Sequence, residues 1–271
     1  MSYVTAAIVT YSNNFNELKI AIDSFLRSKQ NIKLFIIDNS PTDLIKELCD
    51  DPRIEYKFNA SNIGFGAAHN IGMKLAISEG SDYHLILNPD IYFKPSVIES
   101  LVSKMKTDSF IGLIMPKIVY PNGETQYLCK LLATPFDLLV RRFIPLKSIV
   151  ERRNEKYEFR FSDYNSEMVV PSLSGCFMFV RVSILKEVGG FDERYFMYLE
   201  DLDLCRRIGE VSRTVFYPKV VVTHSYEKGS YKSKKLLWFH ISSAVKYFNK
   251  WGWFWDKKRV VTNREALLKF K

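Results

Sequence analysis

Tyr83-His84-Leu85-Ile86-Leu87-Asn88-Pro89-Asp90-Ile91-Tyr92-Phe93 is a nearly all-apolar run in which one carboxylate stands beside a proline. A run this apolar reads as a buried strand, and strands buried on both faces belong to the parallel sheets of α/β folds. Ligands of open α/β sheets bind outside the carboxyl ends of the strands, so this strand is expected to end by presenting Asp90 to a cleft. A second acidic centre lies far along the chain, in Tyr195-Phe196-Met197-Tyr198-Leu199-Glu200-Asp201-Leu202-Asp203, after Gly189-Gly190-Phe191-Asp192-Glu193. The two centres need one cleft.

The segments around this run support the same fold class. Tyr3 to Tyr11 is rich in β-formers, and Asn13 or Asn14 then caps a helix that keeps Phe15, Leu18, Ile22 and Phe25 on one face. Lys33 to Asp38 reads as a second strand, and Thr42 as the cap of a short helix through Leu48. Ile54 to Phe58 is a third strand. The turn Asn62-Ile63-Gly64-Phe65-Gly66 follows it, then a helix with Ala68, Ile71 and Leu75 on one face running to Gly80. Pro95 opens a further helix, and Phe110 to Met115 is another strand. Strands alternating with helices predict βαβ units and a mostly parallel sheet with right-handed crossovers. After Pro116 the pattern degrades, and Pro145 to Glu167 reads as a long charged surface loop.

With 271 residues, 47% of them hydrophobic, the chain can bury a real core. Cys49, Cys129, Cys176 and Cys205 are widely spaced with no C-x-x-C pair, which predicts reduced core thiols. Met1 to Tyr11 lacks a basic leader, and no apolar stretch reaches spanning length, so a chain neither exported nor membrane-spanning is expected. The net charge of +9 is unevenly placed. Lys219 to Lys271 holds 13 basic residues against 3 acidic ones, which leaves 26 and 27 for everything before it. All four tryptophans, Trp238, Trp251, Trp253 and Trp255, lie in the same basic tail.

Several residues could carry chemistry, each with a plainer alternative. Asp38 ends its strand as Asp90 does, although strand-end aspartates also simply make turns. Asn62 to Asn70 offers a strand–turn–helix glycine loop near phosphates, but His69 stands at the third glycine position and breaks the dinucleotide fingerprint. Glu200, Asp201 and Asp203 could be charges at a helix N-terminus, with Asp203 paired to Arg207 four residues on. That suits Asp203 and leaves unexplained a carboxylate pair after an aromatic run able to floor an acceptor site. His224, at the end of Val220-Val221-Val222-Thr223, reads as structural or as metal- or diphosphate-facing. His69, His84 and His240 read as structural or helix-surface residues.

The order of these motifs resembles the family 2 inverting glycosyltransferases of the GT-A fold, most closely the bacterial rhamnosyltransferases of surface-polysaccharide (O-antigen or capsule) assembly. The residues that carry the resemblance are Thr10-Tyr11, Asp38-Asn39-Ser40, Asn62-x-Gly64-Phe65-Gly66-x-x-x-Asn70-x-Gly72, Asn88-Pro89-Asp90, Ser174-Gly175-Cys176-Phe177-Met178, Gly190-Phe191-Asp192 and Tyr198 to Arg206. They span Val4 to about His224. The chain departs from the general metal motif at Asn88, where a first Asp is usual.

The resemblance implies a single Rossmann-like nucleotide-binding domain over 1–225, with a donor-binding half at about 1–115 and an acceptor and base half at about 116–225. Residues 226–271 would be a C-terminal helical, basic-aromatic extension. It implies a nucleotide-sugar donor, dTDP-L-rhamnose or a UDP-hexose, contacted by Thr10, Tyr11, Asp38, Asn39, Asn62, Gly64, Asn70, Asn88, Asp90 and Arg206. Asp38 would read the base, and Lys228 is a further candidate for diphosphate contact. Mg2+ or Mn2+ would be held by Asp90 and His224, and Asp201, paired with Glu200, would be the general base. The acceptor would be a lipid-linked saccharide. The expected location is cytoplasmic, peripheral on the inner face of the bacterial cell membrane, with Ser233 to Trp255 as a helix lying on the anionic surface. A nucleic-acid-binding module would explain the basic aromatic tail and not the acidic motifs, so no nucleic-acid partner is expected. A non-catalytic nucleotide-sugar binder has no use for Glu200-Asp201, and an oxidoreductase needs the fingerprint that His69 breaks.

Overall fold

Tyr3–Thr10 (β1) carries Val4, Ala6, Ala7 and Ile8 with no exposed surface, so both faces of this strand are covered. A computed structural model describes residues 1–140, 147–225 and 233–270. Asn14 caps Phe15–Leu26 (α1), its side chain accepting from the Asn16 and Glu17 backbone N–H groups. Asn31–Asp38 (β2) and Ile54–Phe58 (β3) follow, then Phe65–Ser78 (α2), Tyr83–Leu87 (β4), Ile91–Phe93 (β5), Ser96–Thr107 (α3) and Ile111–Val119 (β6). Further on come Cys129–Lys130 (β7), Lys147–Tyr157 (α4), Met168–Val169 (β8), Ser172–Leu173 (β9), Phe177–Arg181 (β10), Val182–Val188 (α5), Glu200–Val211 (α6) and Arg213–His224 (β11). The chain closes with Lys234–Trp251 (α7) and Lys257–Leu268 (α8).

The central sheet runs β3-β2-β1-β4-β10-β6-β11-β5, with β8 also paired to β11. It is mostly parallel: β1 to β4, β6 and β11 point one way, and β10, β5 and β8 the other. β7 and β9 form a separate antiparallel pair. Ala7, Val9, Phe35 and Ile37 on one face pack against Ala68 and Ala76 of α2. Gly72 makes that approach possible, because a Cβ there would lie 2.5 Å from Ala7 Cβ. The larger core, with Leu18, Ile22, Phe25, Leu101 and Met105 from α1 and α3, fills the other side.

Four expectations change. The apolar strand stops at Leu87, before Asp90, because the chain turns at Asn88-Pro89 and re-enters the sheet as β5. Thr42 is not a cap: Leu44–Leu48 is a single 3-10 turn preceded by Asp43, with no side-chain cap. The strand before Pro116 runs through it to Val119, and the proline lies opposite Tyr217 where β11 shifts register, a bulge where a missing N–H is tolerated. The described part of the expected loop from Pro145 to Glu167 includes α4, while Pro145 itself lies outside the described residues.

The tail also differs from the single helix expected over 233–255. Ser233 caps α7, and the helix ends at Trp251 because Gly252, at φ +99°, turns the chain out of helical conformation. Asp256 then caps α8 by accepting from the Arg259 N–H. Ala244, Tyr247 and Phe248 of α7 are buried in the main core. The Arg206 guanidinium meets Asp256 through two bonds of 2.7 and 2.8 Å and lies 4.1 Å from the Trp251 ring centre. Lys250 bridges Asp192 at 2.9 Å and Asp203 at 2.6 Å. Among the described residues, no helix is long and apolar enough to cross a membrane.

Candidate active site

Parallel pairing sets Thr10 beside Asp38 and aligns Ile8 with Leu87, so the carboxyl ends of β1, β2 and β4 face one edge of the sheet. Asp38 has no exposed surface. Thr10 Oγ1 and the Ser40 N–H donate to its Oδ1 at 3.0 and 2.9 Å, and the Tyr56 hydroxyl donates to Oδ2 at 2.7 Å. Burial first, then the bond to Asp38, pushes the Tyr56 phenol up. Three of the carboxylate's acceptor sites are therefore taken, and the side chain is held behind Thr10, Ser40 and Tyr56 at the strand ends. Tyr11 is half exposed at the same edge.

Beside it, Asn59 Nδ2 donates to Asn39 Oδ1 at 2.8 Å, and Asn39 Nδ2 reaches the Gly64 carbonyl at 3.3 Å. Asn62 Oδ1 accepts the Gly64 N–H at 3.0 Å. Gly64 sits at φ +95°, and a Cβ there would come within 2.6 Å of the Phe196 carbonyl oxygen, so both conformation and space require glycine. The next N–H, from Phe65, donates to that same carbonyl at 3.0 Å and ties the glycine turn to the aromatic run.

Asn88-Pro89-Asp90 is held from two sides. The Asn88 N–H donates to the Cys176 carbonyl at 2.9 Å, and the Ser225 N–H donates to the Asp90 carbonyl at 3.0 Å. Antiparallel pairing of β5 with β11 puts Ile91 opposite His224, whose Nε2 lies 3.3 Å from Asp90 Oδ1. His224 Nδ1 meets Gln126 Oε1 at 3.0 Å, and Gln126 Nε2 donates back to the His224 carbonyl at 2.9 Å. Burial opposes charge on His224, but the Cys176 thiol and the Asp90 carboxylate outweigh it and raise the imidazole to about 10.

Glu200 and Asp201 open α6, as expected for an acidic pair at a helix start. Tyr198 and Leu199, immediately before them, both lie in the left-handed region at φ +69° and +68°, a strained entry for non-glycine residues. Asp201 Oδ2 accepts the Gly175 N–H at 2.9 Å, and Oδ1 accepts the Leu202 N–H at 2.8 Å. Burial, then the neighbouring Asp201 charge, raises the Glu200 carboxyl well above the ordinary range, and its Oε2 has no hydrogen-bond partner among the described residues. The aromatic run is mostly packed rather than open as a floor. Tyr195 is buried, the Phe196 ring lies 4.6 Å from Phe239, and the Met197 carbonyl accepts from Ser243.

The Asn88-Pro89-Asp90 turn and Asp201 are thus tied to one short segment, Gly175-Cys176, through Asn88 and through Asp201 itself. Two expected donor residues do not join them. Asn70 staples α2 to the Gly190-Phe191 loop: its Nδ2 donates to the Phe191 carbonyl and to Glu193, and its Oδ1 accepts the Phe191 N–H at 2.7 Å. Arg206 points along α6 to the tail, where Asp256 takes its guanidinium. Asp203 pairs with Arg207 at 2.8 Å as the i,i+4 spacing indicates. His69 and His84 are fully buried, and burial drives both away from the charged form, His84 to about 3. Lys228 lies outside the described residues. Tyr56 and Gln126 had not been singled out. Tyr56 shares its strand face with Ile54 and Phe58, which signals packing, and nothing local marks Gln126.

No cluster of three or more His, Cys, Asp or Glu side chains suited to a metal exists among the described residues. The donor set still fits a hard divalent cation that completes its shell on substrate. Asp90 supplies an oxygen, His224 a nitrogen oriented through Gln126 once a cation displaces its proton, and the buried Asn88 Oδ1 of the same turn has no hydrogen-bond partner among the described residues.

The mostly parallel sheet with its acids at and just beyond the strand ends is the GT-A arrangement of nucleotide-sugar-dependent glycosyltransferases. The family model described as glycosyl transferase family 2 matches residues 5–189, and the chain belongs to that family. It is 25% identical to the rhamnosyltransferase WbbL of Escherichia coli (strain K12), over 95% of this chain and 94% of that protein. It is 26% identical to an N-acetylglucosaminyl-diphospho-decaprenol L-rhamnosyltransferase of Mycobacterium tuberculosis (strain ATCC 25618 / H37Rv), over 91% of this chain and 84% of the relative. Among solved structures, GalNAc-T7 with UDP, GalNAc and Mn2+ superposes at a TM-score of 0.64 with 18% identity, over 83% of this chain but only 43% of that one. The Pyrobaculum calidifontis mannosyltransferase PcManGT with GDP-Man and Mn2+ superposes at 0.59 with 15% identity, over 98% and 74%. These two likenesses are of fold.

Proposed function

We propose that the chain is a metal-dependent inverting glycosyltransferase that moves L-rhamnose from dTDP-L-rhamnose to a hydroxyl of a lipid-linked saccharide at the inner face of a bacterial membrane. The observation that carries the reading is that the Gly175-Cys176 segment takes both Asp201, through the Gly175 N–H, and Asn88 of the Asn88-Pro89-Asp90 turn, through the Cys176 carbonyl. The sugar and the lipid-linked acceptor are supported by the relatives' names: both are rhamnosyltransferases, and the mycobacterial one names a diphospho-decaprenol. In this reading about the first 115 residues bind the donor, residues to about 225 supply the acceptor side and base, and the rest is an extension.

Asp90 and His224 would hold Mg2+ or Mn2+, which when bound offsets the charge gathering on the departing diphosphate. Thr10, Tyr11, Asn39, Asn62 and Gly64 line or brace the nucleoside end of the cleft. Asp201 accepts the proton of the acceptor hydroxyl as that oxygen attacks the sugar C1 on the face opposite the breaking C1–O bond, and the nucleoside diphosphate leaves. The Gly175 N–H keeps the carboxylate aimed while other lone pairs of its oxygens stay available for the proton. Glu200 is the poorer base, because burial and the Asp201 charge keep its proton on well into the range where an exposed carboxyl has lost it.

The test is turnover of a nucleotide-sugar panel by the purified protein, scored by released nucleoside diphosphate and by the anomeric configuration of the product. Turnover of dTDP-L-rhamnose with inversion is expected. Selective turnover of UDP-glucose, UDP-galactose or UDP-N-acetylglucosamine would overturn the donor and leave the base assignment standing.

A further inference from the structure

α8 is built inside out. Apart from Ala266 and Leu267 near its end, which reach the core, its inward side chains are polar: Arg259 is buried and donates to the carbonyls of Ala133, Gly252 and Trp253. Asn263 exchanges two bonds, of 2.8 and 2.9 Å, with the Leu132 backbone. Its outward side chains include Val260, Val261 and Leu268, at 62, 53 and 50% exposure. The turn that leads into it adds Phe254 at 75% and Trp255 at 95%. A surface helix ordinarily buries its apolar stripe, and this one holds to the protein by hydrogen bonds while its apolar residues face out.

The charge on the same face selects what covers it. Lys257, Lys258 and Arg264 are exposed among these apolar residues, against Glu265, in a tail whose balance from Lys219 to Lys271 is 13 basic to 3 acidic residues. A cavity of about 280 Å³ between α6 and α8 is lined by Lys257, Lys258, Val261, Leu132 and Pro171 together with Glu210, which takes Lys258 at 3.0 Å and leaves Lys257 as the lysine of the recess without that pairing. Interleaved apolar and basic groups on an exposed element, with aromatic side chains at its tip, complement the acyl boundary and headgroups of an anionic bilayer.

We infer that the Phe254-Trp255 turn and the outer face of α8 form the surface on which the protein docks to an anionic lipid bilayer. This rests on the membrane-surface part of the reading above and extends the contact beyond α7, whose Ala244, Tyr247 and Phe248 are buried while Trp238 stays exposed, to the following turn and helix. The Arg206–Asp256 pair and the Asn263 bonds fix this face rigidly to α6 and to the strand region around Leu132.

The experiment is co-sedimentation of the full chain with phosphatidylcholine vesicles, with and without phosphatidylglycerol, across a salt series and without donor or acceptor. The intact protein is expected on anionic vesicles at low salt and to come off as salt rises. The double variants Phe254→Ser/Trp255→Ser and Lys257→Glu/Lys258→Glu should each bind about ten-fold more weakly. Their thermal unfolding and their turnover of a short soluble acceptor should match the parent. Binding unchanged in both variants overturns the assignment of this face. Failure of the intact protein to bind at low salt overturns docking altogether, while sugar transfer, measured separately, stands or falls by itself. A parent dimer that Phe254→Ser/Trp255→Ser converts to a monomer would give the face to a second copy of the chain and overturn the bilayer.

Discussion

The Asp201 carboxylate takes the Gly175 backbone N–H at 2.9 Å, and the glycine has no room for more: a Cβ at 175 would lie 3.1 Å from Asp201 Cβ. The peptide that aims Asp201 is followed by Cys176, whose carbonyl anchors Asn88, so the acid at the start of α6 and the acid after β4 share one rigid support.

Asp201→Asn keeps the shape of the side chain and removes the proton acceptor. Turnover should fall at least about 100-fold, while nucleotide affinity measured by calorimetry stays near the parent value. Transfer within a few-fold of the parent would move the role to another carboxylate.

Asp90→Ala and His224→Ala should each weaken the Mn2+-dependent part of nucleoside diphosphate binding and leave the metal-free part unchanged. Chelator should stop turnover, and added Mg2+ or Mn2+ should restore it. Full activity in excess chelator would contradict the assignment.

Glu200→Gln tests burial of a carboxyl. The folded state holds this proton more tightly than the unfolded chain, so the contribution of Glu200 to stability is whole below the unfolded carboxyl value of about 4.3 and is lost as pH rises toward the higher folded value. The variant should therefore melt above the parent at neutral and alkaline pH, and the gap should close near about pH 4. A gap that is constant with pH would show that burial does not hold the proton on Glu200.

Arg206→Ala should act on stability rather than on donor binding. It leaves the buried Asp256 carboxylate with only the Arg259 N–H and the Arg259 guanidinium at 3.9 Å, which costs up to about 3–5 kcal/mol in denaturant unfolding, whereas nucleotide affinity of the folded fraction should not change. A selective loss of nucleotide affinity would return Arg206 to the cleft.

Arg206 also marks the limit of what the sequence could reveal. Its partner, Asp256, lies 50 residues away, and no local pattern links a helix arginine to a later turn. The strands were legible because Ile, Leu and Val runs ended at Asp38 and at Asn88-Pro89, and the glycine turn was legible because Asn62 and Gly64 stand between a strand pattern and a helix pattern, although Gly66 belongs to the helix. Pro116 misled because the bulge that accommodates it belongs to the pairing with β11, about 100 residues further on. The tail read as one helix because its aromatic residues run on past Gly252, and which of them are buried is set by α6 and not by the tail itself.

The insertion of β10 between β4 and β6 has a consequence for how the chain is made. Phe177–Arg181 pairs antiparallel with Tyr83–Leu87 on one side and with β6 on the other, so β4 and β6 are not joined in one sheet until it arrives between them. During synthesis, β1 to β4 can assemble early, but Leu85, Ile86 and Leu87 then stand at an open edge for as long as the ribosome takes to reach residue 181. A stop or a long pause before that point leaves a sheet with an apolar seam, a species for chaperones or proteases rather than a smaller working enzyme.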